Sequence, residues 1–578
     1  LRPTWTMDGK AMLFMSARDG MKNHASWGGQ GDAYAMFFTQ AAFDRYKLSK
    51  EEAAILKEQE EKEKKEKDEK EKDEKGKKKD EKGKKDEEAK VEALKFELPG
   101  IEDRKVRLTI HSSDLNGAVL SKDGETLYYL AKFEKGYDLW QTNLRTKETK
   151  VLAKLGADGA GALTIDKEGK NLFFLKDGGV SRVVIEGGEM KGVGINGEMT
   201  LNEALERDYL FEHVWREVVK KFYRVDLQGV KWDFYKTSYH RFLPYINNSA
   251  DFAEMLSEML GELNASHTGA HYWGGIPNGD ETASLGLFYV DEPKADGLRI
   301  AEVMPKSPVV KDGSRIKAGM VIEKIDGQTI TARMDEAQLL NRKAGKPTLL
   351  SLYDPAKGER WEETVKPING GEEGELLYHR WVERCRHLVD SLSGGRIGYV
   401  HVEGMDDGSF RKVFEDALGK YNEKDALIVD TRFNGGGWLH DDLATFLSGH
   451  TYMHMEPRGQ KLGTEPQFKW QKPSAVVMNE SNYSDAHMFP VTYRALNVGK
   501  LVGMPVPGTG TAVWWEGLQN GIVFGIPQVG MIDNNGNYLE NQQLEPDVKQ
   551  ANEPGPMSMG RDQQLEVAVK SLLDGMKK

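Results

Sequence analysis

The chain has 578 residues, of which 39% are apolar and 30% charged, with a formal net charge of −12. That length exceeds what one hydrophobic core supports and predicts three to five domains, at roughly 150 residues each. The acidic balance leaves no basic stripe outside one biased segment, which argues against nucleic-acid binding. No run of about 18 apolar residues is present to span a membrane.

The first residues, "LRPTWTMDGK", show neither Met nor a signal peptide and read as a start that was lost or processed, so they do not report a compartment. Three stretches then resemble one another: "PTWTMDGKAMLFMSARDG", "AVLSKDGETLYYLAKFEKGYDLWQTNL" and "LTIDKEGKNLFFLKDGGVSRVVI". Each sets a polar Asp-Gly or Glu-Gly turn before an alternating strand, the repeat pattern of a β-propeller. Few blades fit before residue 195, so residues 1–195 read as a partial propeller. Between the first two copies, within an insertion at about residues 50–90, runs "KEQEEKEKKEKDEKEKDEKGKKKDEKGKKDEEAK", with no aromatic residue and no apolar face. It is expected to be a solvated, disordered insertion or a fluctuating single helix, since it cannot bury enough surface to offset its ordering entropy.

From about residue 200 the period becomes helical, in "LNEALERDYLFEHVWREVVKKFYRV" and "SADFAEMLSEMLGELNASHTGAHY", predicting a helical module over 196–283 that ends at Ser266-His267. Residues 284–368 contain "GLRIAEVMPKSPVVKDGSRIKAGMVIEKIDGQTI", which resembles a PDZ domain, a module that takes an extended peptide as an added strand. Residues 369–578 alternate strands and helices and predict an α/β core with a mostly parallel sheet. The fold class expected is therefore multidomain α+β.

Four places in this chain carry candidate chemistry. In "VVMNESNYSDAHMFP" an apolar strand runs into a polar turn and then a helix, and Ser484 stands at the junction. It is either an N-cap or a nucleophile whose neighbour, Asp485, offers its N–H at a helix N-terminus. "DTRFNGGGWLH" places three glycines after a buried strand, where Gly436 or Gly437 could donate a second N–H to an oxyanion, or simply turn the chain. "NASHTGAHY" supplies Ser266, His267 and His271. Helical spacing would put the two histidines on one face as a zinc pair, but no glutamate lies between them and Gly269 weakens a helix, so a general base is the better use of His267. Glu540, in "NYLENQQLEPDV", follows a short strand and could hold a serine or orient the histidine. Cys385, the only cysteine, permits no intrachain disulfide. It sits in the helical "WVERCRHLVD" between Arg384 and Arg386, without the turn a nucleophile uses.

Taken together, "ASH", "VDTRFNGGG", "NESNYSDAHMFP" and "YLENQQLEPD", in that order around a PDZ-like segment and behind a propeller, resemble the tricorn peptidases within the tail-specific (C-terminal processing) serine peptidases. The resemblance implies a ClpP/crotonase-like core and a serine peptidase with no cofactor or metal. Its nucleophile would be Ser484, its base His267, and Ser266 and Glu540 would complete a tetrad. The oxyanion donors would be Asp485 and Gly436 or Gly437. It further implies peptide or unfolded-protein substrates, a homo-oligomeric ring (a hexamer by that resemblance) and a cytoplasmic location, with the periplasm as the alternative. The other branch of these peptidases uses a Ser–Lys dyad, for which Lys500 is the nearby lysine. The competing readings are a non-catalytic propeller/PDZ scaffold that binds peptide C-termini, and a zinc hydrolase using His267 and His271.

Overall fold

A computed structural model describes residues 3–25, 28–75, 94–291, 296–332 and 334–577. The chain separates into two compact units, Leu1–Thr200 and Leu201–Lys578. Among the described residues no helix is long and apolar enough to cross a membrane.

In the first unit the three repeats become three antiparallel sheets of four strands each. The first holds Thr4–Thr6, Ala11–Ser16, Asp32–Phe37 and Lys105–Arg107; the second Asp114–Leu120, Thr126–Lys132, Tyr137–Asn143 and Thr149–Ala157; the third Ala160–Ile165, Asn171–Lys176, Gly179–Val184 and Met190–Gly192. The chain reverses at the Asp-Gly and Glu-Gly turns, as in Gly124 N–H to Ser121 O at 2.9 Å and Gly169 N–H to Asp166 O at 3.0 Å. Alternation sends Leu13, Phe37 and Leu127 into one core and Leu130, Leu139 and Phe174 into the next.

Two helices, α1 (Gln40–Lys47) and α2 (Lys50–Lys75), lie between strands of the first sheet. The disorder expected over about 50–90 is thus corrected for 50–75, where the helical alternative is the one observed. The rest of that segment, 76–90, lies outside the described residues. Ala, Glu, Lys and Gln are strong helix formers, and pairs such as Glu58–Lys62, 2.9 Å apart one turn on, each add about 0.2–0.5 kcal/mol. The Arg45 guanidinium on α1 also pairs with Glu60 of α2.

The second unit opens with α3 (Glu203–Lys221), α4 (Trp232–His240) and α5 (Ser249–Gly261). The core of these helices is shared with a later part of the chain. Phe211, Val214, Phe252, Leu256 and Met259 pack on Leu518, Ile522, Phe524 and Ile526, from the far end of the chain. The strand Gly269–Tyr272 pairs antiparallel with Ile522–Gly530, which pairs with Thr511–Gly517. Next comes an antiparallel sheet of Leu287–Tyr289, Leu298–Val303, Val321–Ile325, Gln328–Thr329, Thr348–Asp354 and Glu359–Val365, closed over Ile300, Ile322, Leu350 and Leu352.

The last part of this unit is a five-stranded parallel sheet in the order Ile397–His401, Ala426–Asp430, Ser474–Met478, Lys500–Gly503, Val548–Lys549. Its first three strands are buried at every position, as a parallel sheet covered on both faces requires. The helices that cross over or cover it are α6 (Gly370–Ser393), α7 (Asp407–Glu415), α8 (His440–Leu447) and α9 (Asp485–Ala495), followed by α10 (Pro554–Ser558) and α11 (Gln563–Gly575). At the C-terminal end of the second strand the Arg432 guanidinium, 2% exposed, donates to Asp430 Oδ2 at 2.6 Å and Asp562 Oδ2 at 2.8 Å. Tyr399 Oη donates to the same Asp430 oxygen at 2.8 Å. Burial would raise the Asp430 carboxyl, but the guanidinium beside it holds it below its ordinary value.

Removing one member of a buried charge network leaves the others unpaired. Arg432→Met is therefore expected to cost about 3–5 kcal/mol, whereas Arg494→Met, which breaks a half-exposed pair with Asp547, should cost about 0–1 kcal/mol. Urea unfolding of the two variants checks the contrast.

Candidate functional site

The strand Ser474–Met478 ends in a turn braced by its own asparagines. The Asn479 side-chain oxygen accepts from Ser481 N–H and Phe433 N–H, both at 3.2 Å. The Asn482 amide donates to Thr431 Oγ1 at 2.9 Å, and its oxygen accepts from Asn479 N–H at 3.0 Å. Tyr483 N–H reaches across to Asn434 O at 3.0 Å. The turn ends on Ser484 at φ 56°, ψ −124°, just before α9. For a residue with a side chain this backbone costs on the order of 1–3 kcal/mol and persists only where its surroundings hold it. Here Ser484 N–H donates to Thr509 Oγ1 at 2.8 Å, and the Thr509 N–H donates to the buried His487 Nδ1 at 3.3 Å. The Ser484 side chain makes no capping bond to α9; its hydroxyl lies 2.8 Å from His267 Nε2. The N-cap alternative is thereby excluded.

His267 comes from 217 residues earlier in the chain. The helix α5 stops at Gly261, and Ser266 and His267 occupy the turn that leads into the strand Gly269–Tyr272, with His267 at φ 62°. Its N–H donates to Tyr483 Oη at 2.6 Å, and the two rings pack at a tilt of 51° with centroids 4.9 Å apart. Nδ1 faces two hydroxyls, Ser266 Oγ at 3.0 Å and Thr511 Oγ1 at 2.9 Å. The Ser266 hydroxyl donates to Glu540 Oε2 at 2.9 Å, and Ser266 N–H donates to Glu540 Oε1. This chain assigns the tautomer. With Ser266 O–H committed to the carboxylate, Nδ1 carries the proton and Nε2 is left to accept from Ser484. Burial pushes His267 down to about 4. Burial also raises the Glu540 carboxyl, against the bonds from Ser266 and the Gly510 backbone.

The glycine loop packs directly on the serine turn. A Cβ at Gly436 would stand 2.5 Å from Ser484 Cβ and 3.1 Å from Asp485 N, and the residue has φ +102°, so position 436 admits no side chain. The Gly436 N–H donates to Asn434 Oδ1 at 2.8 Å. Of the two glycines expected as donors, Gly436 is thus engaged. Among the described residues the Gly437 N–H and the Asp485 N–H have no protein acceptor.

Ser484, His267, Ser266 and Glu540 therefore meet as one chain of hydrogen bonds. His271 does not join them. It lies on a strand, not on a helical face with His267, and its ring packs against Trp273 and Trp515. Cys385 is buried in α6, and its thiol is pushed up to about 12 by that burial. Lys500 begins its strand in register with Ala475, at the edge opposite the one that carries Ser484. Sequence reasoning missed Thr509, Thr511 and the role of Tyr483. The threonines sit in "PGTGTAVWW", where no spacing signals a site; Thr511 opens a strand paired with Ile522–Gly530, and Thr509 lies in the segment just before it.

Three comparisons bear on this geometry. The family model described as "Peptidase family S41" matches residues 396–550, and that of the "Tricorn protease C1 domain" matches residues 203–261. "Tricorn protease homolog 1" of Streptomyces coelicolor is 29% identical over 436 residues, covering 72% of this chain and 40% of that protein. "Tricorn protease" of Thermoplasma acidophilum is 25% identical over 350 residues, covering 59% of this chain and 32% of that protein. This chain spans less than half the length of either. The crystal structure of the tricorn protease covers 100% of this chain with a TM-score of 0.78 at 18% identity, while 55% of that structure is matched. At that identity the likeness speaks for the fold.

Because the native state holds His267 neutral and the unfolded chain titrates it near 6.5, the unfolded state binds more protons between those values. Stability is therefore expected to rise as pH increases from about 4 to about 6.5. His487, also pushed down to about 4 by burial, acts in the same window. The slope of urea-unfolding free energy against pH should be shallower in His267→Ala over that range.

Proposed function

We propose that this chain is a tricorn-type S41 peptidase and hydrolyses peptide bonds of oligopeptides or unfolded segments through an acyl-enzyme on Ser484. The observation that carries this reading is the Ser484 hydroxyl, 2.8 Å from His267 Nε2 and free of any capping role. In the proposed reaction Ser484 Oγ attacks the peptide carbonyl and His267 Nε2 takes its proton. The oxyanion receives the N–H groups of Asp485 and Gly437, each worth about 3 kcal/mol in the transition state. His267 then protonates the leaving amine, and water, deprotonated by the same imidazole, releases the acyl group. Ser266 and Glu540 hold the Nδ1 proton and the ring orientation, and Thr511 supplies a second oxygen to Nδ1.

By the same family resemblance the three four-stranded sheets are read as blades of a partial β-propeller over 1–195. Residues 284–368 are read as a PDZ domain that engages extended peptide, and 369–578 as a ClpP/crotonase-like core. Assembly into a ring of identical subunits and a cytoplasmic location belong to that reading.

A fluorophosphonate probe followed by intact-mass analysis and peptide mapping tests it. One adduct per chain, on Ser484, is expected. Ser484→Ala should take no label and show no turnover, with its fold intact. Ser481→Ala should stay near wild type. A chain that takes no adduct is a peptide-binding scaffold.

The pH dependence follows from His267. The base must be neutral to accept a proton, and burial holds it so down to about pH 4, so the acidic limb of kcat/KM should fall near pH 4 instead of 6.5. His267→Ala should lose nearly all activity on small esters and amides. Ser266→Ala and Glu540→Gln should keep a measurable residue and displace the acidic limb. Steady-state kinetics across the acidic range decides.

A further inference from the structure

Asp485 follows the nucleophile in sequence, yet its carboxylate serves a different helix. The residue is completely buried. Oδ2 accepts from Leu439 N–H and, at 2.9 Å, from His440 N–H, while Oδ1 meets His440 Nδ1. Helix α8 begins at His440, and the residue at its N-cap position, Leu439, has no side chain able to cap it. Asp485 supplies that cap from the next helix, a placement that favours an anion because the first turn of a helix presents unpaired N–H groups. Leu439 and His440 stand two and three residues beyond Gly437. The cap thus ties together, over a short stretch of chain on either side, the two peptide units, Gly437 and Asp485, that the proposed reaction uses as oxyanion donors.

Resting on the serine-peptidase reading above, we propose that the Asp485–His440 pair is the strut that sets the spacing of the two oxyanion donors. His440 is then a positioning residue for the reaction at Ser484, acting in its cationic form. A completely buried carboxylate is costly unless paired, and the imidazolium is the one cationic partner among the groups that hold it. The charged groups facing His440 are Asp485 from α9 and Asp441 and Asp442 of its own helix; the Trp438 indole stands edge-on at 5.5 Å. Burial pulls His440 down, but Asp485, with Asp441 and Asp442, outweighs it and leaves the group above its ordinary value.

A raised value in the fold means the pairing is complete below about 6.5 and is lost as pH rises through the raised value. His440 therefore closes the activity profile on the alkaline side, as His267 closes it on the acidic side.

The test is kcat and KM from about pH 4 to 10 for wild type, His440→Gln and His440→Ala, with urea midpoints and fluorophosphonate labelling measured in parallel. A misplacement of about 1 Å costs on the order of 100-fold in rate. His440→Ala is accordingly expected to lose about 10- to 100-fold in kcat with KM changed by no more than about twofold. His440→Gln keeps a neutral donor; it should recover part of that loss and show no alkaline limb. If His440→Ala does not fold, the Gln variant decides alone. A folded variant that keeps wild-type kcat and the wild-type alkaline limb overturns the inference while labelling of Ser484 stands. A wild-type chain that takes no label overturns the serine-peptidase reading, and this inference with it.

Discussion

The site depends on one residue held in a backbone region it would not choose. Ser484 sits at φ 56°, ψ −124°, and that geometry lets a strand stop, present a hydroxyl and start a helix within a few residues. The conformation is held from three directions: Thr509 Oγ1 on its own N–H, Asn434 O on the N–H of Tyr483, and the Asn479 and Asn482 side chains within the turn. Each brace comes from a loop at the same edge of the parallel sheet or from the segment just before the paired strand Thr511–Gly517. A serine there as a mere cap would not require them.

Two sheets of different character build this centre. The parallel sheet is buried on both faces and delivers two strand ends side by side, one carrying Ser484 and the other the glycine loop. Arg432 anchors the second of these ends to α11 through Asp562, so the loop that must approach Ser484 closely rises from a fixed base. The small antiparallel sheet does the opposite job. By pairing Gly269–Tyr272 with Ile522–Gly530 and that strand with Thr511–Gly517, it joins the beginning and the end of the second unit. His267 reaches Thr511 directly and Glu540 through the Ser266 hydroxyl, although more than 240 residues separate the first from the other two.

Two histidines show how burial and contact divide the work. His267 is separated from the nearest carboxylate, Glu540, by the Ser266 hydroxyl, and burial drives it down to about 4. His440 touches the Asp485 carboxylate directly and is driven up. The same imidazole is kept neutral in one place, where a proton must be accepted, and favoured as a cation in the other, where a buried charge must be matched. An interposed hydroxyl makes the difference, since it orients the ring without presenting a full charge to it.

Much of this was legible in the sequence, and the boundary follows from physics. Alternation and Asp-Gly turns located the antiparallel strands of residues 1–195, the uniformly apolar runs located the strands of the parallel sheet, and the polar turn at 479–485 marked Ser484, because each of these is a local pattern. The ends of elements and the partners of side chains were not. The helical pattern in 249–272 reads as running to Ser266-His267, yet α5 stops at Gly261 and His271 lies on a strand. That strand exists only because Ile522–Gly530 is there to pair with it. The charged segment is helical over 50–75, where strong helix formers and one-turn ion pairs are joined by the Arg45–Glu60 pair to α1. Thr511, Tyr483 and the Asp485–His440 contact carry no spacing signal at all. Residue types and local periods determined which groups were available; long-range strand pairing, which no local pattern encodes, decided which of them meet.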